Sequence, residues 1–398
     1  MPGGGRGLYL GGTMFQVPPL PNILGLFTLA LALVYGARIW RLLAGLTLLR
    51  VRGEEPRSPE GGLPSVSVVV AARDEASRIP ALMDALLGQD YPEDRYEVVL
   101  VDDRSADGTA EAVREGAAGS RVPVRVIRVE ESPGGWKGKS WALHRGVEEA
   151  RGEVVLTTDA DCLPPPGWIT RMAGRFAGEP DLEMLAGPVD YLDAGSWSWP
   201  RSLLRTEFVT LSIVAAGAIG EGKPLVASGQ NLAYRKRLYG EIGGAETAAG
   251  IESGDDVFLL FQAHRADAGI GYLLHPEASV RTEPPEGPGA FYRQRARWAG
   301  KGVRYPAGPL LFSLVVWLIN GSLFLGLPWA LAAGMAAYLP WWGTALLIKG
   351  VADLALVGRT RILGVDAPER DYLTGWVLHV PYVFLIPIAG QLGLYRWK

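Results

Sequence analysis

Hydrophobic and polar positions divide the chain into three stretches with different periodicities. From Val17 to Ala37 the run VPPLPNILGLFTLALALVYGA carries no charge. About twenty apolar residues cross a hydrocarbon core of roughly 30 Å as a helix, so the run predicts a transmembrane helix at about 17–37. Residues 38–50, with IWRLLAGLTLL as their apolar content, predict an interfacial helix. At the far end Gly308 to Ile348 is again uncharged, and its length predicts two spans turning near Gly326 to Pro328. A last segment, Tyr372 to Leu394, holds Pro381 and Pro387 and is expected as a kinked span or a re-entrant piece. In the middle the period changes. SVSVVVAA (Ser65 to Ala72), YEVVLVDD (Tyr96 to Asp103), VPVRVIRV (Val122 to Val129) and GEVVLTTDAD (Gly152 to Asp161) recur about every thirty residues. Helical stretches at Ala76 to Leu87, Asp107 to Ala118 and Lys139 to Ala150 separate them, with Asp107 or Ser105 as a cap. Strand, helix, strand at this spacing predicts right-handed βαβ units, hence an α/β domain with a mostly parallel sheet. The expected organisation is a membrane segment over residues 1–54, a polar domain over 55–305 and a membrane domain of two to three spans over 306–398.

Composition changes this picture little, and charge changes it more. The chain has 398 residues, 48% hydrophobic and 20% charged, and its mean hydropathy of +0.13 is the average of two unlike regions. Acidic and basic residues number 42 and 39, which leaves no electrostatic footprint for a nucleic acid. The single Cys162 excludes an intramolecular disulfide framework and a multi-cysteine metal site. Arg6 alone precedes the first apolar run, whereas Arg38, Arg41, Arg50 and Arg52 follow it. Lys349, Arg359, Arg361 and Arg370 follow the later pair. The positive-inside rule therefore puts the central domain in the cytoplasm, and the absence of a small-residue cleavage site argues against a secretory signal.

Ligands of open α/β sheets bind beyond the carboxyl ends of the strands, so polar residues there must converge. Arg73, Asp74 and Glu75 follow the first strand, Asp102 and Asp103 end the second, Trp136, Lys137 and Lys139 follow the third, and Asp159 and Asp161 close the fourth. TTDAD offers two oxygen ligands suited to Mg2+ or Mn2+ rather than zinc. Lys139, where a helix begins, suits a diphosphate, and Cys162 is expected to be a small core residue. SPGGWKGKS fails the phosphate-loop pattern because the position that needs glycine is Pro133, and no GxGxxG follows any strand. Farther on, ESGDDVFLL presents Asp255 and Asp256, and FYRQRARW presents Gln294, Arg297 and Trp298. Taken singly these have bland readings, as helix N-terminal charge and juxtamembrane anchoring. Residues 197–219 are expected either as an amphipathic surface seated on the bilayer or as a core helix.

In order along the chain, SVSVVVAARDE, VLVDDRSADGT, GKSWALHRGVEEARGEVVLTTDAD, GDD and QRARW resemble the motif series of membrane-bound glycosyltransferase family 2. The resemblance covers Ser65 to Arg304 and implies a Rossmann-like glycosyltransferase A domain, a nucleotide-sugar donor, commonly a UDP-sugar, and a divalent cation. Carried over by position, Arg73, Glu75 and Asp103 would lie on the nucleotide side and Lys139 on the diphosphate. Asp159 would lie against ribose or sugar, and Asp161, with Asp159, at the metal. Asp256 would be the general base beside Asp255, which replaces the family's usual Glu; Asp74 stands where Asn is common. Gln294, Arg297 and Trp298 would close the acceptor and diphosphate side. The implied activity is inverting transfer to a lipid or polyprenoid hydroxyl at the cytoplasmic face. A processive polysaccharide synthase and a silent membrane scaffold stand as the competing readings.

Overall fold

Strands that are apolar on both faces must be covered on both, and that requirement organises the central domain. The computed structural model describes residues 7–10, 13–16, 19–53, 62–136, 139–192, 199–244, 246, 249–250, 254–365 and 369–394. Val17, Lys137 and Trp197, which carried expectations above, lie outside them, as do Glu252 and Ser253 of the ESGDD segment. A hairpin of β1 (Gly7–Leu10) and β2 (Thr13–Gln16) precedes the long helix α1 (Leu20–Gly53). The βαβ series follows as β3 (Val66–Ala72), α2 (Ile79–Leu87), β4 (Tyr96–Asp103), α3 (Thr109–Gly116), β5 (Val124–Val129), α4 (Ser140–Glu149) and β6 (Val154–Asp159). Next come β7 (Cys162–Leu163), α5 (Trp168–Gly178), β8 (Leu182–Ala186), β9 (Val189–Tyr191), α6 (Trp199–Gly220), β10 (Leu232–Arg235) and α7 (Lys236–Glu241). The series continues through α8 (Asp255–Arg265), β11 (Gly269–Tyr272), β12 (Val280–Thr282) and α9 (Gly287–Gly300). It ends on α10 (Ala307–Ala332), α11 (Leu339–Val357) and α12 (Glu369–Gln391).

Seven strands form one sheet in the order β11-β8-β10-β6-β3-β4-β5. All neighbours are parallel except at β10, which runs antiparallel to both β6 and β8. The expected mostly parallel α/β sheet is therefore present. Alternation along β3 splits its side chains between two cores. Val66, Val68 and Val70 join residues of α2, α3 and α5, whereas Val69 joins α4, α8 and the apolar helices. A small second sheet, β7-β12-β9, flanks the carboxyl end of β6.

Four helices are long and apolar enough to cross a membrane: Leu20–Leu49, Arg201–Gly220, Ala307–Ala332 and Ala336–Leu363. Two expectations are corrected here. Residues 38–50 are no separate interfacial helix but the continuation of α1, within which Gly45 turns its bare face to a neighbour. The turn near Gly326 to Pro328 does not exist; α10 runs on to Ala332 and the chain reverses at Gly334, whose φ of 65° suits glycine. Pro381 and Pro387 both lie inside one helix, α12, whose apolar part, Gly375–Gln391, is shorter than the four.

Helix α6 joins the two regions. A Cβ built on Gly45 of α1 would strike the carbonyl oxygen of Gly217, one on Gly217 would strike that of Leu42, and one on Gly220 would strike that of Gly45. The two backbones therefore touch, as small-residue faces allow. Arg38 and Arg41 pair with Glu221 at the end of the same crossing. Within the helical region Lys349 and Asp353 of α11 form a buried pair, and Tyr35 of α1 donates to Asp353, as does the Trp376 indole of α12 at 3.3 Å. A buried charge so deep in an apolar bundle persists only when paired and hydrogen-bonded. Gly217→Val is expected to force α1 and α6 apart and to cost about 1–3 kcal/mol. Thermal unfolding of the detergent-purified variant checks this, with an unchanged midpoint as the contrary result.

Candidate active site

The carboxyl edge of the sheet carries the polar residues that the strand pattern placed there. Lys139 precedes α4, Asp159 ends β6, and Asp161 lies in the tight turn between β6 and β7. Across from them α8 begins with Asp255 and Asp256, after Gly254 in a left-handed conformation (φ 110°). Helix α9 supplies Gln294, Arg297 and Trp298, spaced at one helical turn. All eight of these side chains line one cavity of about 320 Å3. Its other wall is α6, through Phe208, Leu211, Ser212 and Ala215, a spacing of i, i+3, i+4 and i+7 that defines one helix face.

Charge is arranged asymmetrically around this space. Lys139 Nζ donates to Asp159 Oδ1 at 2.5 Å. Burial opposes the Lys139 charge, but Asp159, Asp255 and Asp256 outweigh it and hold the ammonium above its usual range. Burial, followed by the neighbouring Asp159 carboxylate, pushes the Asp161 carboxyl up to about 6. Asp159 and Asp161 offer ligand oxygens that, with the Cys162 sulfur, all lie within 4.8 Å of one another. Two crowded carboxylates of this kind fit a hard dication. Cys162 does not complete a thiolate set, since burial pushes its thiol well up and it donates to Asp161 at 3.5 Å. Burial also raises the Asp255 carboxyl, partly offset by Lys139. Asp256 is held more firmly: its Oδ2 accepts the Gly229 N–H and its Oδ1 the Val257 N–H, both at 2.8 Å, with Lys301 Nζ 4.0 Å away.

Three residues expected at the site are not part of the cavity lining. Arg73, Glu75 and Asp103 stand at the ends of β3 and β4 on the same edge. Glu75 accepts from Arg78 at 2.6 Å and its N–H donates to Thr109 at 3.0 Å, while Asp103 accepts from Arg104 at 2.8 Å. Of the three, Glu75 stands near enough to Asp161 to add to the raising of its carboxyl. Conversely, Lys301, Tyr305, Gln230 and Tyr272 line the cavity without having been singled out. Lys301 had a signal, since it continues the Gln294, Trp298 stripe by one more turn of helix. Residues 199–220 form a helix buried between the sheet domain and α1, which is the core alternative for that segment.

The sequence profile of the glycosyltransferase-like family 2 matches residues 64–301. Over 251 residues the chain is 27% identical to the probable glycosyltransferase YdaM of Bacillus subtilis, covering 61% of this chain and 56% of that protein. It is also similar to the beta-monoglucosyldiacylglycerol synthase of Nostoc sp., at 29% identity over 407 residues, 93% of this chain and 81% of the relative. Against the Synechocystis protein of the same name the chain spans 48% of the relative's length, so coverage differs widely among these proteins. Among solved structures, a mannosyltransferase from Pyrobaculum calidifontis, in complex with GDP-Man and Mn2+, superposes with a TM-score of 0.55 at 22% identity. The match covers 92% of this chain and 99% of that one and speaks for the fold alone.

Gly254→Ala is expected to lower stability by roughly 1–2 kcal/mol, because an L side chain there is left-handed and its Cβ would stand 2.9 Å from Lys301 Cδ. Denaturant unfolding of wild type and variant in one detergent measures it; equal stability would be the contrary outcome.

Proposed function

Because the chain belongs to glycosyltransferase family 2, we propose that this enzyme transfers a sugar, with inversion, from a nucleotide-sugar to a hydroxyl group of a membrane lipid. The observation that carries the proposal is the cavity itself. One wall is the charged edge of Lys139, Asp159 and Asp161, the opposite wall bears Asp256 and Trp298, and a third is the apolar helix packed on α1. A polar donor and an apolar acceptor can meet only in a space of such mixed character. Similarity over 93% of the chain to a beta-monoglucosyldiacylglycerol synthase makes a diacylglycerol-type alcohol the first acceptor to test. Similarity over 27% of the chain to an undecaprenyl-phosphate transferase of Aeromonas hydrophila makes a polyprenyl phosphate the competing acceptor, where an already ionised phosphate oxygen would attack in place of a hydroxyl and need no base.

In this reading the donor's nucleotide lies along Arg73, Glu75 and Asp103, outside the cavity, and its sugar enters beside Asp159. Asp256 takes the proton of the acceptor hydroxyl as that oxygen attacks the anomeric carbon. Two N–H donors orient the Asp256 carboxylate, and Lys301 and Asp255 set the charge around it. Lys139 and Arg297 face the departing diphosphate and stabilise its growing charge. Asp159 and Asp161 would hold a Mg2+ or Mn2+ ion, which supplies further positive charge at the diphosphate. Trp298 and Gln294 close the acceptor side. The arginines in the second half of α1 and those just after α11 support a catalytic domain on the cytoplasmic face of the cytoplasmic membrane.

Purified enzyme should be offered UDP- and GDP-sugars with diacylglycerol or polyprenyl phosphate in mixed micelles, and the products weighed by mass spectrometry. One sugar per lipid is expected; a ladder of additions would instead make the enzyme a polymerase, and donor turnover without any lipid product would reject the acceptor class. Asp256→Asn is expected to lower transfer roughly 10²–10⁴-fold while donor affinity by calorimetry stays near wild type. Asp161→Ala should lose transfer and the response to Mn2+ titration together, whereas Cys162→Ala should keep both. A metal response surviving in Asp161→Ala would remove that residue from the ion's ligands.

A further inference from the structure

Helix α9 carries Gln294, Arg297 and Trp298 into the cavity, yet what holds α9 in place is α12, near the end of the described chain. Gly390 of α12 lies so close to α9 that a Cβ there would strike the Ala296 carbonyl oxygen and stand 2.9 Å from the Gly300 nitrogen. Next to it, Gln391 Nε2 donates to the Ala299 and Gly300 carbonyl oxygens at 3.1 and 3.2 Å. Those are carbonyls of the last turn of α9, where a helix runs out of its own i+4 donors. One turn past the end of α12, the Leu394 carbonyl accepts from the Tyr292 hydroxyl at 2.7 Å.

A second line of contact runs through the buried Arg295. Its guanidinium carbon lies 4.3 Å from the centre of the Trp298 ring and 5.0 Å from that of Phe291, and its NH1 donates to Gln294 Oε1 at 3.1 Å. The charge is balanced by Glu207 of α6, which Arg295 NH2 contacts directly. Glu207 Oε1 in turn accepts from the Tyr382 hydroxyl of α12 at 3.1 Å, and the Tyr382 ring lies 5.5 Å from Phe291. Arg295 therefore touches both Gln294 and Trp298 of the cavity while its counter-charge is fixed by α12. A planar guanidinium held on both sides leaves the indole little rotational freedom.

The geometry points to α12 as the positioning element of the acceptor side: Tyr382, through Glu207 and Arg295, and Gln391, through the end of α9, set where Gln294 and Trp298 stand. This rests on the reading of α9 as the acceptor-facing wall. Tyr382 and Gln391 are positioning residues, since neither lines the cavity. Removing either should misplace the acceptor and leave the donor bound as before, because Lys139, Asp159 and Asp161 belong to the other wall.

The test uses the full-length enzyme labelled with 5-fluorotryptophan. Thirteen tryptophans give separate 19F resonances, and that of Trp298 is assigned by Trp298→Phe. Tyr382→Phe and Gln391→Ala are each expected to shift or broaden the Trp298 resonance. They should lower transfer to diacylglycerol roughly 10- to 100-fold with a raised acceptor KM, and leave UDP-glucose affinity by calorimetry unchanged. Leu378→Ala, an outward-facing position on the same helix, should move none of these. A Trp298 resonance that stays put in both variants overturns the proposal, as does a loss of donor affinity that parallels the loss of transfer. A shifted resonance in an enzyme that glycosylates no lipid at all would keep α12 as the positioning element and reject the lipid acceptor instead. Two independent variants guard against the unfolding of one.

Discussion

Backbone-to-backbone contact between α1 and α6 is the constraint on which the remaining architecture rests. Gly45, Gly217 and Gly220 remove the side chains that would hold two helices apart, and the Arg38, Arg41 and Glu221 cluster pins the end of the crossing. Because α6 is simultaneously a wall of the cavity and a neighbour of β9 and β11, its position is shared by the sheet domain and the helical region. One apolar cluster accordingly runs without interruption from Val69 and Val155 in the sheet, through α6, to Leu42 and Ile39 of α1. The catalytic domain is thus built against its apolar helices rather than tethered to them by a linker.

Around the cavity the same economy holds for charge. Four carboxylates face it, and the cations that balance them come from separate parts of the chain: Lys139 before α4, and Arg297 and Lys301 at the end of α9. Burial works against the Asp255 carboxylate, and the Lys139 ammonium offsets this only in part. A phosphorylated ligand would meet positive charge from both walls, and a metal ion would meet the carboxylates of only one.

Much of this was legible in the residues because period and function coincide in a βαβ unit. YEVVLVDD is β4 from end to end, and TTDAD ends its strand at Asp159, so the convergence of Lys139, Asp159 and Asp161 follows from strand polarity, whereas Asp255 and Asp256 open a helix and were legible only through the resemblance. The boundaries of helices in apolar surroundings were less legible. An apolar stretch carries no period that reveals where it turns, so the reversal at Gly334 and the unbroken passage of α1 through residue 45 depend on neighbours. Helix α6 is the extreme case: it packs on both the sheet domain and α1, and composition alone cannot tell a buried helix from a spanning one. Arg295 was passed over for a related reason. It occupies a spacer position in QRARW, and only the approach of Glu207, 88 residues earlier, gives it a role.

The bond between Tyr35 and Asp353 joins residues 318 apart. During synthesis α1 leaves the ribosome long before the residues that meet its glycine face and its tyrosine hydroxyl. The sheet domain forms from its own local βαβ units while that helix waits. Only after α6 has emerged can the glycine crossing close, and only after α11 and α12 can the tyrosine find the aspartate and α9 find its cap. Contacts of such high sequence separation are slow to form. The order of assembly therefore runs against the order of the chain: α1, made early, is secured only once α6 and α11 have followed it.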